Sequence, residues 1–564
     1  MTSSKVKTSA LFYLLLLCTA SAWPFSIYAN EQNKIDSHAV ELGKRIYLEG
    51  LLPSGEPLKA TTQGDVQLSG AQIACVSCHQ RSGLGSSEGR ILIPPVTKPI
   101  LFAPLKIQRR ELYSANISGQ GTRPAYADET LARVIRDGVD SGGRTLDRLM
   151  PRFALSDADL HLLIAYLKSL TDQDAPGVTQ DTIHFATVVT DGVDPQKKQA
   201  MLGILQVFFR DKNAGTRFET KRARKTPWQK EWQYQAYRKW VLHEWSLKGP
   251  ENTWLSQLEK YYHQQPVFAL VSGLSNSGWQ PMHKFCEQYQ TPCLFPNTDL
   301  PVVGDKNEYS FYFSKGLTLE AEALAEYLHQ TKENINDIFI IQVYRKNEFG
   351  ATPATILKTQ LHKLGMTNQI TDLPIDTTAP LTTAYWQDLL QKNQPSIMVL
   401  WLNKSDLQEL NKLTDLADQN KLTKIFLSSS LAYPVEQFPE NLKDEVYLIH
   451  PFALPTDIPK LLLRTSGWLK IKQFKTNDDV VRVQANTYFT TMVLGEALMH
   501  IRSHFSREYF MEKIEHMLES SLTTSVYPRF SLGLGQRFAS KGCYILKLTG
   551  QSGSTAPVSD WIVP

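Results

Sequence analysis

Cys75-Val76-Ser77-Cys78-His79 places two thiols three positions apart, with an imidazole directly beside the second. The spacing has a chemical use. Two thiols so placed can add to the two vinyl groups of one haem, and the adjacent imidazole then reaches the iron from the same side. Competing chemistries need surroundings that this stretch lacks. A thioredoxin-like redox pair needs a βαβ setting, whereas Gly70, Gly83 and Gly85 flank the motif and a Pro-rich stretch follows. A zinc site needs further ligands, and residues 80–160 contain neither Cys nor His. One motif predicts one covalent haem c, with His79 as an iron ligand.

A haem iron takes a sixth ligand or keeps an open position. Met150 is the only methionine between Met1 and Met201. Pro151 follows it and favours an extended, ligand-bearing loop over a helix. A methionine that fills a gap in a core is the plain alternative. His161 is a reserve ligand, but it falls within a helical pattern that has another use for it.

Three amphipathic helices surround these residues. One spans Ser37–Glu49, with Leu42 and Ile46 on one face, and a second runs from Glu129 to Asp137 and stops at Gly138. The third runs from Ser156 to Leu170, with Ser156 as N-cap and Leu160, Leu163, Ile164 and Leu167 as its apolar stripe. With the C-x-x-C-H motif, the Met150-Pro151 loop and the terminal helix ending Ala165-Tyr166-Leu167-Lys168-Ser169-Leu170, the region resembles the mono-haem cytochrome c family. The resemblance implies an all-α domain with His79 proximal and Met150 distal. The Pro-rich stretch Ile93 to Pro104 departs from the family's pattern at the haem edge.

Ahead of this domain, Lys5 and Lys7 precede the uncharged run Leu11 to Cys18, and small residues follow at Ala20-Ser21-Ala22 and Ala29. That is the layout of a secretory signal, cleaved after Ala22 or Ala29, so residues 1–29 are expected to be a leader and the chain periplasmic. An uncleaved anchor is the alternative. Leu17 stands where a lipoprotein signal wants a small residue. No later run reaches eighteen apolar residues, so a mature chain without a transmembrane segment is expected.

Composition narrows the rest. The 564 residues exceed one domain, and 42% hydrophobic with 21% charged residues is ordinary for packed domains. Sixty Lys and Arg against 56 Asp and Glu exclude a strongly basic nucleic-acid binder. Six cysteines are too few for a disulfide scaffold.

A polar linker, residues 172–181, separates the first domain from a region of another pattern. Strand-like runs at 184–189, 267–272, 338–344, 396–402, 424–428 and 446–449 alternate with helices such as Leu317 to His329 and Thr352 to Leu364. Near-continuous apolar strands between helices indicate a parallel sheet covered on both faces. Residues 182–549 are too many for one core, so two lobes are expected, followed by a tail, 550–564. Val267 to Gly273, Pro292 to Pro296, and Phe339 to Gly350 with its Tyr-x-x-x-x-Phe-Gly layout resemble the type 1 periplasmic binding proteins, which include branched-chain amino-acid receptors. The fold class expected is therefore multidomain: an all-α cytochrome c domain, then a two-lobed α/β periplasmic binding protein-like domain. Ser275, Asn276 and Ser277 follow a strand and precede a helix near Trp279. They can hold an anionic group or simply cap the helix. Arg345-Lys346-Asn347 replaces the acidic pair often found after the Tyr, which leaves the small-molecule ligand open.

Between Arg210 and Trp240, ten Lys or Arg face three Asp or Glu, with Trp228, Trp232 and Trp240 interleaved. A solvated helix face over buried tryptophans is expected, with docking of an acidic partner as the alternative. Cys286 and Cys293, late in a helix and at the start of the next strand, can approach disulfide spacing in an oxidising compartment. Cys543 is then a buried thiol. No Ser/His/Asp triad or Walker loop stands out, and iron under His/Met ligation has no open position for a substrate. The expected function is one-electron transfer without catalysis, with a periplasmic redox partner and a domain that binds a solute or docks that partner. A solute receptor of ABC type that carries a haem, an electron-transfer subunit of a periplasmic dehydrogenase, and an oxidoreductase acting on the bound ligand are the alternatives.

Overall fold

The computed structural model describes residues 37–88, 91–105, 123–171, 173–225, 238–304, 307–331, 338–366, 370–407, 422–432, 445–501, 504–520, 525–533, 535–549 and 554–564. The expected leader, 1–29, lies outside them. The chain divides into two compact units, Met1–His79 with Gly85–Thr171, and Gln80–Leu84 with Asp172–Pro564.

The first unit runs α1 (Ser37–Glu49), β1 (Lys59–Thr61), β2 (Gln67–Ser69), α2 (Val76–His79), β3 (Ser86–Glu88), β4 (Ile91–Ile93), α3 (Asp128–Asp137), β5 (Arg152–Phe153) and α4 (Asp157–Ser169). Local chemistry sets the helix ends. The Ser156 hydroxyl accepts the Asp159 amide at 3.1 Å and starts α4. Gly138, at φ 70°, stops α3 in the left-handed region. α1 and α4 pack closely at Gly43, where a Cβ would lie 2.0 Å from the Leu162 carbonyl oxygen. The unit is not purely helical as expected. β2, β1 and β5 form an antiparallel sheet, and β3 and β4 form a hairpin. These strands have two or three residues each, too few to leave a period of two in the sequence.

The second unit runs β6 (Thr182–Thr190), α5 (Pro195–Lys225), β7 (Lys239–Leu247), α6 (Trp254–Gln264), β8 (Ala269–Val271), α7 (Gln280–Gln288), β9 (Cys293–Leu294), β10 (Ser310–Phe311), α8 (Leu317–Gln330), β11 (Ile340–Arg345), α9 (Ala351–Lys363), β12 (Ile370–Ile375), α10 (Thr383–Asn393), β13 (Ile397–Trp401), β14 (Lys424–Ser428), β15 (Val446–His450), α11 (Leu463–Ile471), α12 (Asp478–Ile501), α13 (Arg507–Ser520), β16 (Tyr544–Leu548) and β17 (Thr555–Pro557). Two sheets result. One has the order β7-β6-β8-β9-β10, all parallel. The other is β12-β11-β13-β14-β15, parallel, extended by antiparallel β16 and β17. In both, the first strand lies between the second and the third, so each lobe reverses direction beside its first strand.

The hydrophobic clusters show how the chain shares itself between lobes. One cluster joins Phe185, Val271 and Phe311 to Phe489, Phe510 and Ala539. Another joins Leu324, Ile340 and Ile449 to Cys543 and Ile562. The backbone therefore passes between lobes three times, near residues 312–316, 451–457 and 539–543. The passages are bonded to their surroundings: the amide of Ser540 donates to the Phe313 carbonyl at 2.7 Å, and that of Ala453 to Val526 at 2.8 Å.

Three expectations change here. Residues 554–564 are no separate tail, because β17 pairs with β16 and the Ile562 amide donates to the Cys543 carbonyl at 2.9 Å. The expected linker packs into the unit: the amide of Ala175 donates to Phe505 at 2.9 Å, and Asp174 pairs with Arg238 at 2.9 Å. Trp240 belongs to a strand, not a helix face, and is buried against Phe185 and Phe209. Trp228 and Trp232 lie outside the described residues.

Candidate functional site

Cys75 precedes the single turn of α2, and Cys78 and His79 sit inside it; the His79 amide donates to the Cys75 carbonyl at 2.9 Å. Residues three apart on such a turn share one side, so both thiols can meet one flat group. Neither cysteine is in a disulfide; Cys75 is half-buried and Cys78 exposed. Burial pushes the Cys75 thiol up to about 12, so it stays a neutral thiol.

His79 is buried, 9% exposed. Its Nδ1 lies 2.9 Å from the carbonyl oxygen of Pro94. A carbonyl can only accept, so Nδ1 carries the proton and Nε2 keeps its lone pair. Burial also lowers the affinity of the ring for a second proton, although the Pro94 carbonyl works the other way. The Pro-rich stretch thus has a use that its composition hid. Gly85 makes it possible: at φ 75° it lets the hairpin close so tightly that a Cβ would stand 2.1 Å from the Ile93 carbonyl oxygen.

Met150 is half-buried, and Cys75 and Met150 pack against the same hydrophobic cluster, built around Ile46, Leu58, Leu131 and Leu163. Its loop is held from inside. The Arg152 guanidinium donates to the Met150 carbonyl at 2.5 Å and the Leu146 carbonyl at 2.6 Å. The Met150 amide donates to the Asp147 carbonyl at 3.2 Å. His161 is exposed on α4. The residues fit a covalent haem on the strength of the His79–Pro94 bond, which aims a free Nε2 away from the backbone that holds the ring. Sequence reasoning missed Pro94 and Arg152. Pro94 acts through a carbonyl that every residue has, and Arg152 acts on backbone oxygens, so neither leaves a side-chain signature.

In the second unit, the strand order reverses at β6 and β8 and at β11 and β13, and the carboxyl ends of those strands are where ligands sit in sheets of this topology. Ser275, Asn276 and Ser277 sit beyond β8, and their groups are engaged locally. Thr190 donates to Asn276 Oδ1 at 2.9 Å and accepts the Asn276 amide at 3.0 Å. The Ser275 hydroxyl accepts the Ser277 amide at 3.1 Å, and the Ser277 hydroxyl donates to the Glu251 carboxylate. That is turn chemistry, with an anion already present, and no side chain caps α7. Beyond β11, Arg345 donates through Nε and Nη2 to Asp406 at 3.0 and 2.7 Å, and through Nη1 to three carbonyls at 3.0 Å each. Among the described residues, no group of three or more His, Cys, Asp or Glu could hold a metal ion.

Comparison with known proteins separates the two units. Residues 67–171, which contain Cys75, Cys78, His79 and Met150, match the family model of cytochrome c, and that family implies covalent haem c. A cytochrome c domain and a two-lobed, doubly wound α/β unit thus share one chain. Solved structures similar to the remainder include type 1 periplasmic binding proteins. They include a fatty acid ABC transporter substrate-binding protein from Thermomonospora curvata, at 15% identity and a TM-score of 0.46, covering 70% of this chain and 95% of its own. A branched-chain amino acid ABC transporter protein from Thermus thermophilus with bound valine gives 11% and 0.49, covering 69% and 98%. A solute-binding protein from R. palustris in complex with benzoate gives 10% and 0.47, covering 68% and 98%. No curated protein sequence matches the chain.

Proposed function

We propose that the chain is an exported c-type cytochrome that transfers one electron at a time and carries a unit for binding a solute or docking a redox partner. Cys75 and Cys78 hold one haem c, His79 is its proximal ligand and Met150 its distal ligand. The observation that carries this reading is the 2.9 Å bond from His79 Nδ1 to the Pro94 carbonyl, which fixes the ring and leaves Nε2 for iron. Bound haem c supplies reversible one-electron exchange at its iron. The chain's own residues do the rest. Arg152 keeps the Met150 loop in place, and the surrounding apolar cluster excludes water from one side of the site. If His79 and Met150 both held the iron, no position on it would be left for a substrate, which favours a carrier over a catalyst. The second unit supplies recognition, and the sheet reversals are the places where a fold of this topology takes a small molecule.

A pyridine haemochrome assay on the exported full-length protein tests the reading. One covalent haem per chain is expected. A count of zero or two overturns it.

A further inference from the structure

Residues 457–479 carry Lys460, Arg464, Lys470, Lys472 and Lys475 against three exposed carboxylates at the two ends, Asp457, Asp478 and Asp479, so the stretch between those ends is uniformly basic. Lys472 is paired with Asp211 at 2.6 Å, while the other four cations are exposed. Among them stand Leu463 and Ile471 of α11, 75% and 77% exposed, the two most exposed large apolar side chains among the described residues. Eight positions along a helix separate them by about 12 Å and keep them on one side. The opposite side of α11 is already used: Leu462 and Leu469 are buried. The helix is therefore apolar both inward and outward. On that inward side lies a recess of about 210 Å³ whose lining mixes Leu462, Leu469, Phe474 and Val481 with Thr465 and Thr476, so it is separate from the outward face.

We infer that this face of the second unit docks on a bilayer containing anionic phospholipid. Leu463 and Ile471 enter the headgroup boundary, and Lys460, Arg464, Lys470 and Lys475 meet the phosphates. Charge complementarity selects this occupant. Protein interfaces place aromatic groups at the centre and are depleted in lysine, whereas here aliphatic groups protrude between lysines. Lysine and arginine stems lie along apolar surface while their heads reach the phosphate level. No described helix is long and apolar enough to cross a membrane, so attachment of this face is peripheral. The inference goes beyond electron transfer and does not depend on the haem.

Co-sedimentation of the haem-loaded protein with phosphatidylcholine vesicles, with and without phosphatidylglycerol, tests it. Binding to the phosphatidylglycerol vesicles is expected, with little to phosphatidylcholine alone. Lys460→Gln, Arg464→Gln and Lys470→Gln should each weaken it about five-fold, and added salt should weaken it further. Leu463→Ser with Ile471→Ser should weaken binding while leaving the melting temperature unchanged, because both side chains are already in water. The inference is overturned if the wild type fails to sediment with phosphatidylglycerol vesicles, or if these variants sediment like the wild type. Retention on immobilised polyglutamate through the same residues, without vesicle binding, would assign the face to an acidic protein and overturn it equally.

Discussion

His79 and Pro94, fifteen positions apart, are joined by a 2.9 Å hydrogen bond from Nδ1 to the main-chain oxygen. No side chain at position 94 makes this bond; the closure of the β3–β4 hairpin does. Gly85→Ala, which puts a methyl group where only 2.1 Å is available, should push the two residues apart. The imidazole then donates less electron density to iron. The expected result is retained covalent haem with a raised reduction potential, read by spectroelectrochemical titration. An unchanged potential would show that the bond does not tune the ligand.

Met150→Ala should abolish the methionine–iron charge-transfer band and lower the reduction potential, because thioether ligation raises it. Arg152→Gln should act on the same band more gently. It removes two charge-assisted bonds to the Met150 loop, each of the order of 1.5–3 kcal/mol, so the band should disappear at a lower temperature than in the wild type.

Glu320 gives the second unit a pH dependence of definite sign. It is fully buried, the Ser430 amide donates to its Oε1 at 3.1 Å, and burial raises its carboxyl to about 8. Folded chains therefore keep the proton up to about pH 8, whereas unfolded chains release it near 4.5. Between these values each rise in pH favours the unfolded state, and the stabilisation is complete only below the lower one. Glu320→Gln cannot ionise. Its melting temperature should fall less than that of the wild type between about pH 5 and pH 8. Equal slopes would refute the assignment.

Cys286 and Cys293 are bonded to each other, with Cα atoms 6.2 Å apart, and both are buried. The bond closes a short loop between α7 and β9. Replacing both by Ser should cost about 2–3 kcal/mol, measured by denaturant unfolding. A smaller loss would mean that unfolded chains gain little freedom when the link is absent.

What the sequence disclosed follows physical range. The haem motif is legible because its chemistry is local, with three side chains in five positions. The capping of α4 by Ser156 is legible for the same reason, as are β13, an unbroken apolar run, and β14, with Ile425-Phe426-Leu427 buried at its centre. β7 escaped notice because Lys239 and Glu244 interrupt its apolar residues and a basic run leads into it. β17 escaped because it is only three residues long. Ser275 to Ser277 suggested an anion site only while their partners, Thr190 and Glu251, were unknown; both lie more than twenty positions away in sequence. The outward face of α11 was hidden because a helix apolar on both sides shows no amphipathic period.

The triple passage between lobes has a genetic consequence. Neither lobe is the product of one uninterrupted stretch of codons, so no single internal fragment of the gene encodes either of them. A protease cut in one passage leaves the halves tied by two others. A stop codon just after residue 540 would remove β16 and β17, strip the Cys543–Ile562 pairing, and leave β15 as a raw sheet edge that invites association with another chain.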